Sequence, residues 1–137
     1  MKVKLAIVAG TVIVLLICAA IGWYVYNKPH TGVAGIEADI IMTAADLYND
    51  FQHDETLANT KYLNKIIEVT GNVSELQNVN GSQIILLSST GDMGGVSCQL
   101  SNDENKKVTI KKSTTITVKG KCSGYLMDVN LVDCVLK

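Results

Sequence analysis

The sequence predicts a mainly-β domain, a small closed Greek-key barrel of five strands preceded by one helix. Three observations support this prediction. A clearly alternating strand with a central glycine begins near residue 65, four more short apolar or alternating runs follow it, and turn signals separate most of these runs without an obvious crossover helix. Ahead of this domain, a long uncharged run predicts one N-terminal transmembrane helix.

The first strand organises the predicted barrel. One face of Lys65–Ser74 is apolar or small, with Ile67, Val69, Gly71 and Val73, and the residues between them are mostly polar. A glycine inside a strand lowers stability, so Gly71 indicates a bulge or a bend. A bent strand can pair along both edges, as the closure of a small barrel requires.

Four further strands are predicted after it. Asn80-Gly81 is typical of a type I′ hairpin turn. The strands are predicted over Gln83–Leu87, Val96–Leu100, Thr115–Cys122 and Val129–Leu136. The polar, lysine-rich stretch 101–112 is predicted to be a short helix or a loop that joins the third strand to the fourth.

A helix is predicted in front of the barrel, over residues 44–53. Thr43 has the character of an N-cap, with Asp46 at the N3 position in place of the usual glutamate, and apolar residues follow at helical spacing. Leu57 and Tyr62 predict a second helical turn or short helix before the first strand, and we expect these apolar residues to pack in the core.

The N-terminal run Leu5–Tyr26 is 22 residues long and contains no charge. As a helix it would reach roughly 33 Å, enough for a hydrocarbon core of about 30 Å. Trp23, Tyr24 and Tyr26 lie at its far end, where aromatic rings favour the membrane interface. We therefore expect an uncleaved anchor over 1–28, a linker over 29–42 and the barrel domain over 43–137.

A cleaved signal peptide is the main alternative, with Cys18-Ala19-Ala20 as its cleavage site. The apolar sequence continues through Ile21–Tyr26, which favours the anchor. A lipoprotein site would need a small residue before the cysteine, and Ile17 occupies that position. Lys2 and Lys4 lie directly before the run and only Lys28 directly after it. We therefore expect a single-pass protein of the cytoplasmic (inner) membrane with its N-terminus in the cytoplasm and its domain periplasmic or otherwise extracytoplasmic.

Charge argues against nucleic acid as the partner. All 13 acidic residues and nine of the 12 lysines lie within residues 29–137, so this region has a net charge of −4. The chain contains no arginine, the residue that is best suited to bidentate contacts with phosphate and guanine. A net-negative domain without arginine is a poor candidate for a nucleic-acid-binding protein.

Two series of residues resemble a known family. The first consists of Ala44-Ala45-Asp46-Leu47-Tyr48, Phe51, Glu55, Ala58, Lys61-Tyr62 and 67–73, and the second of 117–124, Asp128, Leu131 and Cys134. Over about residues 40–137 the chain resembles the tRNA_anti-like family of bacterial OB-fold proteins, which are usually secreted, lipidated or membrane-anchored and are frequent in Bacteroidetes. The resemblance implies an OB fold, with no catalytic residues and no settled ligand. The family name refers to an anticodon-binding fold and does not establish that members bind tRNA.

Three cysteines lie outside the apolar run. Cys98, Cys122 and Cys134 form no Cys-x-x-Cys pair, so we expect no metal site, and an oxidising compartment would favour a disulfide. In an OB fold the third and fifth strands are parallel neighbours, so the resemblance favours Cys98–Cys134, with Cys98–Cys122 as the alternative. The remaining thiol would be buried or free to react with a partner.

Two groups of residues are candidates for ligand binding. Lys119 and Lys121 belong to the lysine-rich part of the domain and could contact an anionic ligand or lipid headgroups, although a solvated strand face is the plainer interpretation. The loop Tyr125-Leu126-Met127 lies between the last two strands, where OB folds often bind oligomers. Tyr125 and Met127 would suit a peptide or a sugar there, or they would plug the end of the barrel.

The sequence therefore predicts a non-enzymatic, membrane-anchored binding or assembly module of the bacterial cell envelope. We expect another envelope protein, a peptide or a glycan as its partner, and no cofactor. No serine, histidine and carboxylate motif supports nucleophilic catalysis. The alternative function is binding of an oligonucleotide or tRNA, and the small number of aromatic residues argues against it because they leave no platform for base stacking.

Overall fold

A computed structural model describes residues 1–26, 33–89, 94–101 and 109–137, without the side chains of residues 2–9 and 25. The chain divides into two compact units, Met1–His30 and Thr31–Lys137. The first contains helix α1 (Lys2–Tyr26), so the helix predicted over Leu5–Tyr26 is present. Among the described residues, no helix is long and apolar enough to cross a membrane, and the predicted transmembrane span is not supported.

The second unit contains two helices and six strands. The helices are α2 (Ala44–His53) and α3 (Glu55–Tyr62). The strands are β1 (Ile40–Thr43), β2 (Ile66–Val79), β3 (Ser82–Ser88), β4 (Gly95–Leu100), β5 (Thr115–Tyr125) and β6 (Val129–Leu136). Of the stretch predicted to join the third and fourth strands, residues 102–108 lie outside the described part, and the described remainder is not helical.

The strands form the predicted closed barrel. Neighbours follow the order β2–β3–β4–β6–β5, and β5 pairs back onto β2. The β4–β6 pair is parallel and the other four pairs of the barrel are antiparallel. This is the arrangement expected of the OB fold, including the parallel contact between its third and fifth strands. β1 adds a sixth strand beside β2, and three of its four residues lie in the stretch 29–42 that the sequence pattern predicts to be a linker.

β2 closes the barrel because it pairs along both edges. Its first half, 66–72, pairs with β5, and its second half, from Val73 onward, pairs with β3. The bulge predicted at Gly71 is not at that residue, which pairs in regular register with Ile116 of β5. A register shift lies between Val73 and Glu75, and a Cβ atom added to Gly71 would lie 2.8 Å from the Cβ atom of Ala44. Gly71 therefore allows the start of α2 to lie directly against the strand.

The two helices cover one end of the barrel. Thr43 caps α2 as predicted, because its hydroxyl oxygen accepts a hydrogen bond from the Asp46 amide at 3.1 Å. Leu47 and Phe51 of α2 are buried in the same core as the inward-facing side chains of the strands. Tyr62 at the end of α3 is also buried there, whereas Leu57 is 65% exposed, so the predicted core role is confirmed for Tyr62 and wrong for Leu57.

A glycine in β5 provides the test of barrel packing. A Cβ atom on Gly120 would lie 2.4 Å from the Cys134 Sγ atom and 3.1 Å from the Leu131 Cβ atom. We expect Gly120→Ala to lower the free energy of unfolding of the full-length protein by about 1–3 kcal/mol, since a well-packed core resists added volume. Urea unfolding followed by circular dichroism measures this change.

Gly35→Ala is the control for this prediction, because a Cβ atom there meets nothing within 4 Å. Adding Cys134→Ala to Gly120→Ala removes the nearest clashing atom, so the double variant should be less destabilised than the sum of the two single variants. Strict additivity of the two changes would contradict the packing account.

Candidate functional site

The end of the barrel beneath α2 is filled by an aromatic cluster. The Tyr125 ring stacks on Phe51 with ring centroids 5.6 Å apart, and it meets Tyr48 edge-on at 6.1 Å. Burial raises the pKa of Tyr125, and a hydrogen bond with Tyr48 and the negative charges of Glu55 and Asp128 raise it further. Tyr125 thus packs as part of the plug at the barrel end, which is one of the two roles expected for it.

The two residues after Tyr125 project into solvent. The side chains of Leu126 and Met127 are 85% and 82% exposed. Asp128 holds this turn in place, because its Oδ1 atom accepts a hydrogen bond from the Gly95 amide at 2.8 Å and its carbonyl oxygen accepts one from the Leu126 amide at 3.2 Å. The loop therefore presents two apolar side chains from a fixed backbone. We call residues 44–62, which comprise α2, Asp54 and α3, together with residues 126–128 the helical pole.

The two predicted lysines lie elsewhere. Lys119 and Lys121 precede Tyr125 by six and four residues on β5, roughly 20 and 13 Å at the usual rise of a strand. The Lys119 ammonium donates hydrogen bonds to the carbonyl oxygens of Ala34 at 3.2 Å and Ile36 at 2.6 Å, while Lys121 is exposed. The structure therefore does not bring Lys119 and Lys121 together with Tyr125 and Met127.

A polar groove that the sequence does not predict lies between α2 and α3. Its volume is about 640 Å³, and its lining includes Asp50, His53, Lys61 and Tyr62. The Asp50 carboxylate accepts hydrogen bonds from the Tyr62 hydroxyl and, at 3.3 Å, from the Lys61 ammonium. Lys61 and Tyr62 follow Asp50 by 11 and 12 residues in the sequence, so they meet its carboxylate only because the chain turns between the two helices.

The same contacts explain the electrostatics of this groove. The hydrogen bond from Tyr62 lowers the pKa of Asp50, and the Lys61 contacts lower it further. Burial raises the pKa of Tyr62, and its hydrogen bond to Asp50 adds to this effect. The Lys61 ammonium also lies 4.7 Å from the centre of the Tyr62 ring. The cluster joins α2 to α3, and its carboxylate is already paired within the protein.

The predicted disulfide is not supported. Cys98, Cys122 and Cys134 are buried free thiols. The parallel register places Leu100, not Cys98, opposite Cys134, with a register shift between the two positions on β4. The Cys98 side chain does contact Cys134, and their hydrogen bond, together with burial, raises the pKa of Cys134. Among the described residues, no group of histidine, cysteine and acidic side chains is arranged to hold a metal ion.

Comparison with known proteins identifies the family. The tRNA_anti-like family model matches residues 1–136, so the match extends beyond the region 40–137 that carries the resemblance in the sequence. The chain belongs to the tRNA_anti-like family. No curated protein matches it.

Two solved structures are similar to this tRNA_anti-like protein, and the first of them supports its fold. A Klebsiella pneumoniae protein described as a "putative nucleic acid-binding lipoprotein" is similar with a TM-score of 0.60 and 13% identity, over 71% of this chain and 90% of that one. The S. pombe Stn1-Ten1 complex has a TM-score of 0.43 and 13% identity, over 53% of this chain and 57% of the other. At such identity, the first similarity establishes the OB fold alone.

The outer face of the tRNA_anti-like barrel over β3 and β4 has a mixed, uncharged character. Ile84 and Leu86 alternate with buried residues and are partly exposed on this face. The register places them beside Gln99 and Ser97 of β4. Within the two strands there is no aromatic residue and no lysine. The face therefore offers neither a stacking platform nor a cationic track.

Asp50 gives this domain a pH-dependent contribution to stability. Its pKa in the folded protein is lowered from 3.8, so the contribution is present above that value and is lost as the pH falls through the folded-state pKa. We expect Asp50→Asn to reduce the free energy of unfolding by about 1 kcal/mol at pH 7, a modest value because solvent screens this partly exposed carboxylate. The difference from wild type should shrink below pH 4.

Urea titrations of the full-length protein at pH 7, 5 and 3 measure this effect. Tyr62→Phe is the companion variant, because it removes the hydrogen bond that contributes most to the lowered pKa. Tyr62→Phe should likewise make the free energy of unfolding depend less on pH below about pH 4. An Asp50→Asn difference that is equally large at pH 7 and pH 3 would contradict the assignment.

Proposed function

We propose that this protein is a non-enzymatic binding module of the cell envelope, attached to a membrane through α1, that recognises another envelope protein through Leu126 and Met127. A peptide or a glycan would be the alternative form of ligand at the same loop. The observation that carries the proposal is the exposure of these two adjacent apolar side chains on a turn whose backbone is held by Asp128.

Physical reasons favour binding as the role of this turn. Exposed apolar side chains gain free energy when a partner removes them from water. A turn that is fixed before binding loses little conformational entropy when the complex forms. The Met127 side chain is unbranched and polarizable, so it adapts to the shape of an apolar pocket. Catalysis has no comparable support, because the polar cluster around Asp50 is paired internally.

The membrane attachment is supported by the character of α1. Its described side chains, at 10–24 and 26, are uncharged and exposed, and they include Leu16, Ile17 and Trp23. A helix that is apolar on all sides is unfavourable in water and requires an apolar environment. Two lysines lie at the start of α1 and one lies directly after it, and this bias favours a domain on the outer side of the cytoplasmic membrane.

Nucleic-acid binding is the second candidate function. The description of the Klebsiella pneumoniae structure favours it, since that protein shares the fold. The net charge of −4 over residues 29–137, the absence of arginine and the uncharged outer face of β3 and β4 count against it. Retention of the full-length protein on single-stranded DNA that falls steeply with salt would favour this alternative.

The loop is tested by crosslinking in native membranes. We expect the tagged wild-type protein to form one or more specific adducts with a lysine-reactive crosslinker. The double variant Leu126→Ser/Met127→Ser should lose most of this product, since it removes the proposed apolar contact. Quantification of the adduct by immunoblot, with mass spectrometry of its partner, is the readout.

Ile41→Ser/Val79→Ser is the matched control, because it removes two exposed apolar side chains from positions outside the helical pole. Its adduct should equal that of the wild type. Adducts of the same yield and composition in all three proteins would contradict a role for the loop.

The membrane attachment is tested by fractionation. We expect the wild-type protein to stay in the membrane pellet after an alkaline wash, and Leu15→Lys/Leu16→Lys to move largely into the supernatant because two charges disfavour an apolar environment. Gln77→Lys/Asn78→Lys adds the same charge at exposed positions of β2 and should stay in the pellet. Equal partitioning of the wild type and the α1 variant would contradict the attachment.

A further inference from the structure

The charge of the domain is concentrated at one end. The helical pole contains five carboxylates and one lysine, which gives it a net charge of −4 with histidine neutral; the residues are Asp46, Asp50, Asp54, Glu55, Asp128 and Lys61. Residues 29–137 as a whole also have a net charge of −4. The remainder of that region is therefore neutral, and the pole alone makes the domain acidic.

The acidic groups and the apolar tip belong to one surface. Glu55 and Asp128 both raise the pKa of Tyr125, the residue directly before Leu126, through their negative charge. Tyr125 in turn packs against Phe51 of α2. Gly124 also lies close to the C-terminal end of α3. A Cβ atom added to Gly124 would be 4.0 Å from the side chain of Leu63, the residue that follows α3.

The carboxylates of the helical pole differ in whether they form an ion pair within the protein. Asp50 is paired with Lys61, whereas Asp54 accepts a hydrogen bond from the Leu57 amide as the N-cap of α3. Asp54 and Glu55 are both exposed at the start of α3. A pair of exposed negative charges beside two exposed apolar side chains selects for a surface of the opposite charge with an apolar centre.

We propose that the helical pole docks a cationic, amphipathic segment of a partner protein. The apolar side chains of that segment cover Leu126 and Met127, and its lysine or arginine side chains lie over Asp54 and Glu55. This inference rests on the proposed function and adds the charge class of the partner. The same charges repel the phosphates of nucleic acid and the headgroups of anionic lipid, so neither is the occupant of this pole.

Immobilised peptides test the charge class directly. The probes are four sets of 15-residue peptides: leucine with lysine, leucine with glutamate, serine with lysine, and leucine with serine. Full-length protein in a neutral detergent is applied at low and at high salt, and the captured amount is measured. We expect the leucine–lysine set to capture at least fivefold more protein than any other set, with the excess reduced at high salt.

The decisive variant is Asp54→Asn/Glu55→Gln, which removes two charges while asparagine still caps α3. It should reduce capture by the leucine–lysine set at least threefold, as should Leu126→Ser/Met127→Ser. Glu37→Gln/Glu75→Gln removes two exposed carboxylates elsewhere and should bind as the wild type does. Circular dichroism of each variant checks that the fold is retained.

Equal capture by the leucine–glutamate set, no capture by any set, or unchanged capture by Asp54→Asn/Glu55→Gln would overturn the proposal. The crosslinking experiment separates this failure from failure of the proposed function. If Leu126→Ser/Met127→Ser loses the membrane adduct and Asp54→Asn/Glu55→Gln keeps it, the loop is a binding site whose partner is not selected by charge. If both variants keep the adduct, the proposed binding function of the helical pole is contradicted as well.

Discussion

The fold depends on one strand that pairs with different partners along its length. The first half of β2 joins β5 and β1, and its second half joins β3, so this strand connects β3 to β5 and closes the barrel. The strand can make this change because Gly71 has no side chain where Ala44 approaches and because the ladder shifts between Val73 and Glu75. Closure satisfies the backbone hydrogen bonds that an open sheet edge would expose.

The same closure positions the proposed binding surface. Once β5 is paired with β2 on one edge and β6 on the other, its last residue Tyr125 lies against Phe51 beneath α2. The turn that follows can then project Leu126 and Met127 while Asp128 bonds to the start of β4. The aromatic side chains that would otherwise offer a stacking surface are used to fill the barrel end.

Patterns in the sequence predict the local elements well, because strand alternation and helix capping are read from neighbouring residues. Asn80-Gly81 and Thr43 each occupy the structural position that their chemistry favours, whereas the register shift expected at Gly71 lies between Val73 and Glu75. Contacts between distant residues are not encoded locally. The four-residue strand β1 forms only because β2 offers an open edge. The groove around Asp50 depends on the turn between α2 and α3. The register of β4 and β6 places Leu100 instead of Cys98 opposite Cys134. The concentration of negative charge at the helical pole likewise depends on the fold, which brings residues 44–62 and 126–128 together.

Amide hydrogen exchange tests the central claim that barrel closure by β2 holds the loop in place. The account predicts that amides in the β2–β5 seam, such as Val69 and Val118, are among the slowest to exchange, and that the Leu126 amide is protected by its hydrogen bond to the Asp128 carbonyl. Exchange of the seam as fast as that of the exposed turn at Asn80-Gly81, or exchange of Leu126 at the rate of an unfolded chain, would contradict it.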